Sequence, residues 1–294
     1  MRSRSGRVSR RAFLGAAGLA GAAALVPGGA SAAERPLWIG GGRLALPQTA
    51  APAQASPDAE RLRTTGGTET VGYSSGGIPL LAYWVGQGPT TVVVQGAIHG
   101  GPEANSSALT FRLRDYYQAR PGEMPNGLRL AFMPETNPDG IALDSRFYLS
   151  GVDGNRNWDT PDWQADAYDG NGVLRRNLGG TAPMSEPETQ SFAAWFLALR
   201  PAVIVQYHSR GAFVVGAAEY AEPYSEASGY YRPRPGAGLG GLLPYRATGT
   251  MGRWLGQQGI GGILIELTNY TDPELDRNLR GLRAVLRTVA AERA

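Results

Sequence analysis

Fifteen residues, Thr91 to Asn105 (TVVVQGAIHGGPEAN), restrict the fold more than any other stretch of this chain. The β-branched run Thr91–Val94 reads as a buried strand, because Thr and Val side chains pack well on a pleated surface. It breaks at a Gly-rich turn carrying His99 and Glu103, after which the pattern becomes helical. An imidazole and a carboxylate on the turn leaving a strand sit where open α/β sheets place their chemistry. The other histidine of the 294 residues, His208, follows a second apolar run, Ala202–Tyr207. Two histidines ending separate buried strands suggest one shared site.

The rest of the pattern repeats this alternation. Val71–Val85 reads as a hairpin turning at Ser74-Ser-Gly-Gly77, Ala104–Gln118 as a helix, and Leu128–Met133 as a strand. Residues 140–180 form a long stretch dense in Asn, Asp and Gly, which in a compact domain points to function. Ser185-Glu-Pro-Glu188 reads as a capping box opening a helix to Leu199. Residues 211–241, rich in Gly, Pro and Tyr, read as surface loop. Arg246–Gln258 reads as helix, Gly262–Leu267 as strand, and Thr271-Asp-Pro-Glu274 as the cap of a last helix with Leu275, Leu279, Leu282, Leu286 and Val289 on one face. Strands alternating with helices predict an α/β fold: a three-layer α/β/α domain around a mixed, mostly parallel sheet.

The beginning of the chain reads as an address. Ser9-Arg10-Arg11-Ala12-Phe13-Leu14 is a twin-arginine pattern, followed by an Ala/Gly/Leu-rich segment to Val26 and an Ala30-Ser31-Ala32 cleavage site. A membrane anchor would want about 18 or more strongly apolar residues, and this segment is short and Gly-rich. The expectation is therefore a twin-arginine signal peptide over 1–32 and export to the periplasm, cell wall or medium. Residues 33–67 then form a linker or arm, and 68–294 the catalytic domain. Residues 1–32 carry five of the 28 basic side chains (Arg2, Arg4, Arg7, Arg10, Arg11) and no acid, leaving 23 basic against 25 acidic residues, a net charge of −2. The sequence pI of 9.2 thus belongs largely to the signal and argues for neither a nucleic-acid partner nor a membrane partner. With no cysteine in the chain, any metal must sit on His, Asp or Glu.

Hydrolytic zinc sites use three protein ligands and keep one position for water. His99, Glu103 and His208 would suit one Zn²⁺ ion, although each histidine alone could be a hydrogen-bonded structural residue. Glu266 lies inside the apolar strand Ile263-Leu-Ile-Glu-Leu267. A carboxylate there costs several kcal/mol unless it is paired or faces a wet site; it reads either as a general base beside the metal or as a strand-end acid facing solvent. Asn155 and Arg156, in Gly151-Val-Asp-Gly-Asn-Arg-Asn-Trp-Asp159, suit capture of a carboxylate, or belong to a surface turn. Asp153 could orient a ligand histidine, or be an ordinary turn acid.

Taken in order, His99…Glu103, Asn137-Pro-Asp-Gly140, Gly151-Val-Asp…Asn155-Arg-Asn-Trp-Asp159, Ser185-Glu-Pro-Glu188, His208-Ser209 and Ile265-Glu266-Leu267 resemble the zinc carboxypeptidase (carboxypeptidase A-like metallopeptidase) superfamily over roughly residues 68–290. The resemblance implies His99, Glu103 and His208 as zinc ligands and Glu266 as general base. It further implies that Arg146 stabilises the oxyanion, Asn155 and Arg156 bind the terminal carboxylate, Tyr245 closes over the substrate, and Asp153 holds a ligand histidine. Three differences stand out. Three residues rather than two separate His99 from Glu103; Gly154 replaces a usually larger residue; and Arg210 follows His208-Ser209 where the animal digestive enzymes have tyrosine. Gly252 and Arg253 fall where those enzymes set side-chain specificity. The implied function is an exported zinc metalloprotease, a carboxypeptidase-type hydrolase acting on peptides. An alternative is a murein peptide amidase cutting γ-D-glutamyl–diaminopimelate. N-acyl amino acid deacylation and a zinc-free peptide-binding protein are more distant alternatives. The sequence carries no reading of oligomeric state.

Overall fold

The computed structural model describes residues 57–234 and 242–293. The expected signal peptide over 1–32 and the segment 33–56 lie outside the described residues.

Helices and strands alternate as the sequence pattern requires. Helix α1 (Pro57–Thr65) precedes the hairpin of β1 (Thr68–Tyr73) and β2 (Pro79–Gly86), then β3 (Thr90–Gln95) and α2 (Ala104–Ala119). Strand β4 (Leu128–Met133), the short helix α3 (Pro138–Ala142) and the small pair β5 (Ala167–Tyr168) and β6 (Leu174–Arg175) follow. Then come α4 (Pro187–Leu199), β7 (Val203–Ser209), β8 (Phe213–Gly216), α5 (Ala218–Ser228), α6 (Met251–Gln257), β9 (Gly261–Leu267) and α7 (Leu275–Arg293).

Seven strands form one sheet in the order β1-β2-β4-β3-β7-β9-β8. The four inner strands β4, β3, β7 and β9 run parallel, while β1, β2 and β8 join antiparallel at the two sides. The sheet is mixed as expected, with its parallel part confined to the centre. Strands buried on both faces read as continuous apolar runs rather than alternating ones, and every residue of β4 and β7 is buried. One face packs against Leu109, Leu113 and Tyr117 of α2, Tyr220 and Tyr224 of α5 and the leucine–valine stripe of α7. The other packs against Phe192 and Phe196 of α4 and Trp254 of α6. These are the three expected layers.

Four expectations need correction. Residues 57–65, placed in the linker, form α1 and belong to the domain. Arg63 donates through Nε and Nη2 to the buried Glu69 on β1 (3.0 and 2.7 Å), which also accepts from the indoles of Trp84 and Trp195. A bidentate charge pair of this kind ties α1 to the sheet. Residues 211–241 are not all loop, since they contain β8 and α5, whose Tyr220 and Tyr224 are buried; the glycine and proline content hid both. The capping box at Ser185 does not form: α4 starts after Glu186, Ser185 Oγ donates to the Glu186 carboxylate, and Glu188 instead accepts from Ser75 N–H. Finally, α6 begins at Met251 and α7 at Leu275, both later than expected.

Candidate metal centre

The long stretch between α3 and α4 is irregular yet pinned. Trp158 is fully buried against Trp254, with ring centroids 4.9 Å apart. Asn157 Nδ2 donates to Gly179 O (2.8 Å) and Ser185 Oγ (3.0 Å), and its Oδ1 accepts from Glu186 N–H. Buried backbone without a ladder must find such partners. The result is that Asp153, Asn155 and Arg156 are held rigidly over the carboxyl ends of the parallel strands.

His99 stands on the turn after β3. Gly100 lets that turn press against the backbone of Gly140, where a Cβ would lie only 2.1 Å from a carbonyl carbon, and Gly101 has a φ of 56°. A 3₁₀ turn over Gly101–Glu103 then absorbs the extra residue between His99 and Glu103. It brings the Glu103 carboxylate back to His99 Nδ1, 3.0 Å away. His208 lies within β7, beside Glu266 of β9 in parallel register. Its Nδ1 is 3.5 Å from Glu103, and the two imidazole centroids are 4.9 Å apart. All three residues are buried, and their ligand atoms lie within 4.8 Å of one another.

Asp153 takes the other side of His99. Its Oδ1 is 2.9 Å from Nε2, a nitrogen that also lies 3.0 Å from Arg146 Nη2, while Nδ1 faces Glu103. It also accepts from Asn155 N–H (2.8 Å) and Arg146 Nε (3.1 Å). Arg146 donates to Glu103 as well, so its guanidinium stands between the two carboxylates. Burial opposes ionisation of Glu103 and of Asp153, but His99 and Arg146 hold both well below the ordinary carboxylate range. Burial and Arg146 disfavour a charged His99, yet Glu103 and Asp153 raise its pKa. Burial lowers that of His208.

The donor set fits a zinc ion. Two imidazoles and one carboxylate converge, the carboxylate is the common neighbour of both rings, and the buried His208 Nε2 and Glu266 Oε2 have no protein partner.

Glu266 faces the same cavity of about 280 Å³ as His99, Glu103, His208, Arg146 and Arg156. Burial and the neighbouring Glu103 push its carboxyl up to about 8, while His99, Arg146 and Arg156 act to lower it. Asn155 Oδ1 accepts from Met251 N–H (2.9 Å), which turns its NH₂ group to the cavity. Arg156 donates through Nε to Tyr168 O (2.9 Å) and through Nη1 to Asn155 O (2.8 Å), and no carboxylate of the described residues pairs with it. Tyr245 lies at the mouth, its ring 5.7 Å from that of Tyr168. Arg210 also lines this cavity.

His99, Glu103, His208, Glu266, Arg146, Asn155, Arg156, Tyr245 and Arg210 thus line one cavity, with Asp153 behind His99, whereas Gly252 and Arg253 line another. A second cavity of about 760 Å³ opens beyond Asn155 and Tyr245. Arg253 lies at its edge but donates to Asp162 (3.0 Å), and Arg246 lies 3.7 Å from the same carboxylate. The sequence reading missed Asp162, and it missed Gln206, a buried amide facing that cavity with neither polar atom partnered. Gln206 lies two residues before His208 on an apolar strand, a polar residue out of place that could have signalled it.

A family model described as zinc carboxypeptidase matches residues 65–269, which include all of these side chains. The chain belongs to the zinc carboxypeptidase family. Among curated relatives of this carboxypeptidase-family chain, murein peptide amidase A of Escherichia coli (strain K12) is 31% identical over 166 residues, covering 52% of this chain and 63% of the amidase. The chain therefore spans a little under two thirds of that relative. Among solved structures, bovine thrombin-activatable fibrinolysis inhibitor, in complex with tick carboxypeptidase inhibitor, superposes with a TM-score of 0.64 at 20% identity, covering 79% of this chain and 92% of that one. Murein-tripeptide amidase from Escherichia coli O157 gives a TM-score of 0.57 at 22% identity, covering 79% and 96%. These two likenesses establish the fold.

Proposed function

We propose that this chain is an exported, zinc-dependent metallocarboxypeptidase that hydrolyses an amide bond next to a free carboxylate. The observation that carries the reading is the convergence on one cavity of a metal-binding triad, an unpartnered carboxylate and a guanidinium without a carboxylate partner. Arg156 and the Asn155 amide would bind the terminal carboxylate of the substrate, the guanidinium supplying charge and the amide fixing orientation. A zinc ion held by His99, Glu103 and His208 would polarise the scissile carbonyl and lower the pKa of water to roughly 7. Glu266 takes a proton from the attacking water and returns it to the leaving amine. Burial and Glu103 push its carboxyl up to about 8 against the pull of His99, Arg146 and Arg156, which makes its ionised form a stronger base than a solvated carboxylate, and a zinc cation beside it would favour that ionised form. Arg146 stabilises negative charge developing on the carbonyl oxygen, and Tyr245 covers the bound substrate.

Export rests on the twin-arginine pattern at Arg10-Arg11 and the Ala30-Ser31-Ala32 site. No helix among the described residues is long and apolar enough to cross a membrane. A second reading, a murein peptide amidase, is favoured by the 31% identical relative of that name. Digestion of dansyl-peptides beside murein tripeptide separates the two: release of diaminopimelate without cleavage of ordinary C-terminal residues selects the amidase. For the chemistry itself, Glu266→Gln is expected to retain zinc in metal analysis while turnover falls about 10²–10⁴-fold. Full activity in that variant would refute the base assignment.

A further inference from the structure

The guanidinium groups lining the metal-centre cavity are not equivalent. Arg146 is bound to Glu103 and Asp153, Arg175 to Asp169 (2.6 Å), and Arg156 to two carbonyl oxygens. Arg210 differs from all of them. Among the described residues it has no hydrogen-bond or ion-pair partner, and its guanidinium lies 5.5 Å from the centroid of the Tyr270 ring. The acids closest in sequence to Tyr270 are turned elsewhere. Asp272 accepts from Glu274 N–H, and Glu274 accepts from Thr268, Arg277 and Tyr230.

The wall carrying Arg210 and Tyr270 is braced by one buried amide. Ser209 Oγ, next to Arg210, donates to Asn105 Oδ1 (2.8 Å). Asn105 Nδ2 in turn donates to Asn269 O (2.7 Å) and Asp272 O (3.3 Å), the residues flanking Tyr270. Asn105 itself is 6% exposed. An unpaired cation on a braced wall is arranged to receive an anion with little loss of side-chain freedom.

The two cavities fix the direction of a bound peptide. Asn155, Leu243, Tyr245, Ala247 and Leu264 line both, so they mark the passage between them. Arg210, Ser209 and Tyr270 line the smaller one and not the larger. On the proposed carboxypeptidase reading, a substrate with its terminal carboxylate on Arg156 sends its last side chain into the larger cavity. The acyl half then leaves past His208 toward Arg210.

We infer that Arg210 is a specificity residue that binds a carboxylate on the acyl side of the scissile bond. The site thereby selects substrates whose acyl-side residue is acidic. Two linkages present that group: an α-linked glutamyl residue through its side chain, and a γ-linked one through its free α-carboxylate. This inference rests on the carboxypeptidase reading for the direction of the peptide.

The test uses the zinc-loaded protein with four substrates sharing one C-terminal residue: N-acetyl-α-glutamyl, N-acetyl-glutaminyl, γ-glutamyl, and γ-glutamyl with its α-carboxylate amidated. The expected kcat/KM favours the acid over its amide by about tenfold or more, the scale of a charged hydrogen bond; whichever pair shows it names the linkage. Arg210→Gln is expected to bring that ratio close to one, and Arg210→Lys to restore part of it. Thermal melting and zinc content confirm that each variant is folded. An acid-to-amide ratio near one in the parent protein, or a ratio unmoved by Arg210→Gln, would overturn the assignment. Calorimetric binding of the same acid and amide substrates to the zinc-loaded Glu266→Gln variant, with and without Arg210→Gln, reads the same preference without turnover. Absence of cleavage of all four would count against the carboxypeptidase reading, while this binding arm still decides the role of Arg210.

Discussion

At the level of single residues, the site is organised by carboxylates that each serve several neighbours. Asp153 is fully buried and accepts from His99, Arg146 and the Asn155 backbone. It therefore joins one imidazole of the proposed metal site to the backbone of Asn155, the residue proposed to hold the substrate carboxylate. Asp153→Asn keeps the shape but removes the acceptor charge, and zinc affinity is expected to fall about 10–100-fold, measured by competition with a chelator. An unchanged affinity would show that the ring is oriented by Glu103 alone. His99, His208 and Glu266 were legible in the sequence because each is a polar residue at the end of, or inside, an apolar run. Gln206 carried the same signal and went unread. Asp162 could not be read, since its partners Arg246 and Arg253 lie more than eighty positions away.

Among the elements, α4 carries a carboxylate that reaches out of its helix to a distant turn. Glu188 is fully buried and accepts from Ser75 N–H (2.7 Å) and Ser75 Oγ (3.1 Å). Burial pushes its carboxyl up to about 7, against the pull of those hydrogen bonds. A carboxyl whose folded pKa lies above its unfolded value of 4.5 contributes stability that is fully present below that value and lost as pH rises through about 7. Glu188→Gln is expected to remove this dependence. Urea denaturation should show its stability relative to the parent shifting in its favour by about 3 kcal/mol between pH 4 and pH 8; a difference independent of pH would exclude Glu188 as the source. The expected capping box failed for the same reason, because Ser75, 113 residues earlier, claims the side chain that a local motif would have used. Long apolar elements such as β4, β7 and β9 were readable, as their burial on both faces leaves only one pattern. The segment 213–228 was not, because Pro223 and the glycines around it mask a strand paired with β9 and a helix buried against α7.

On the scale of the whole molecule, His99 and His208 belong to different strands of the parallel centre, and a zinc ion held by both would link β7 to the turn after β3. Binding to the folded state alone stabilises by about 2.7 kcal/mol when free zinc is a hundredfold above its Kd. For a domain of this size that corresponds to a rise in Tm of roughly 5–10 °C. Stripping zinc with a chelator is expected to lower Tm by that much, readdition to restore it, and His208→Ala to abolish the response. Identical melting with and without zinc would argue that the three side chains do not hold it. The fold was legible from the order of strands and helices; the place of α1 in the domain was not, because α1 is short, polar and anchored by ion pairs, Arg63 to Glu69 and Glu60 to Arg129, with residues beyond its end. That anchorage has a practical corollary for anyone trimming the polypeptide for expression. Beginning at Thr68 would leave Glu69 with two indole donors and no counter-ion beneath the sheet edge, so a shortened version should begin upstream of Pro57.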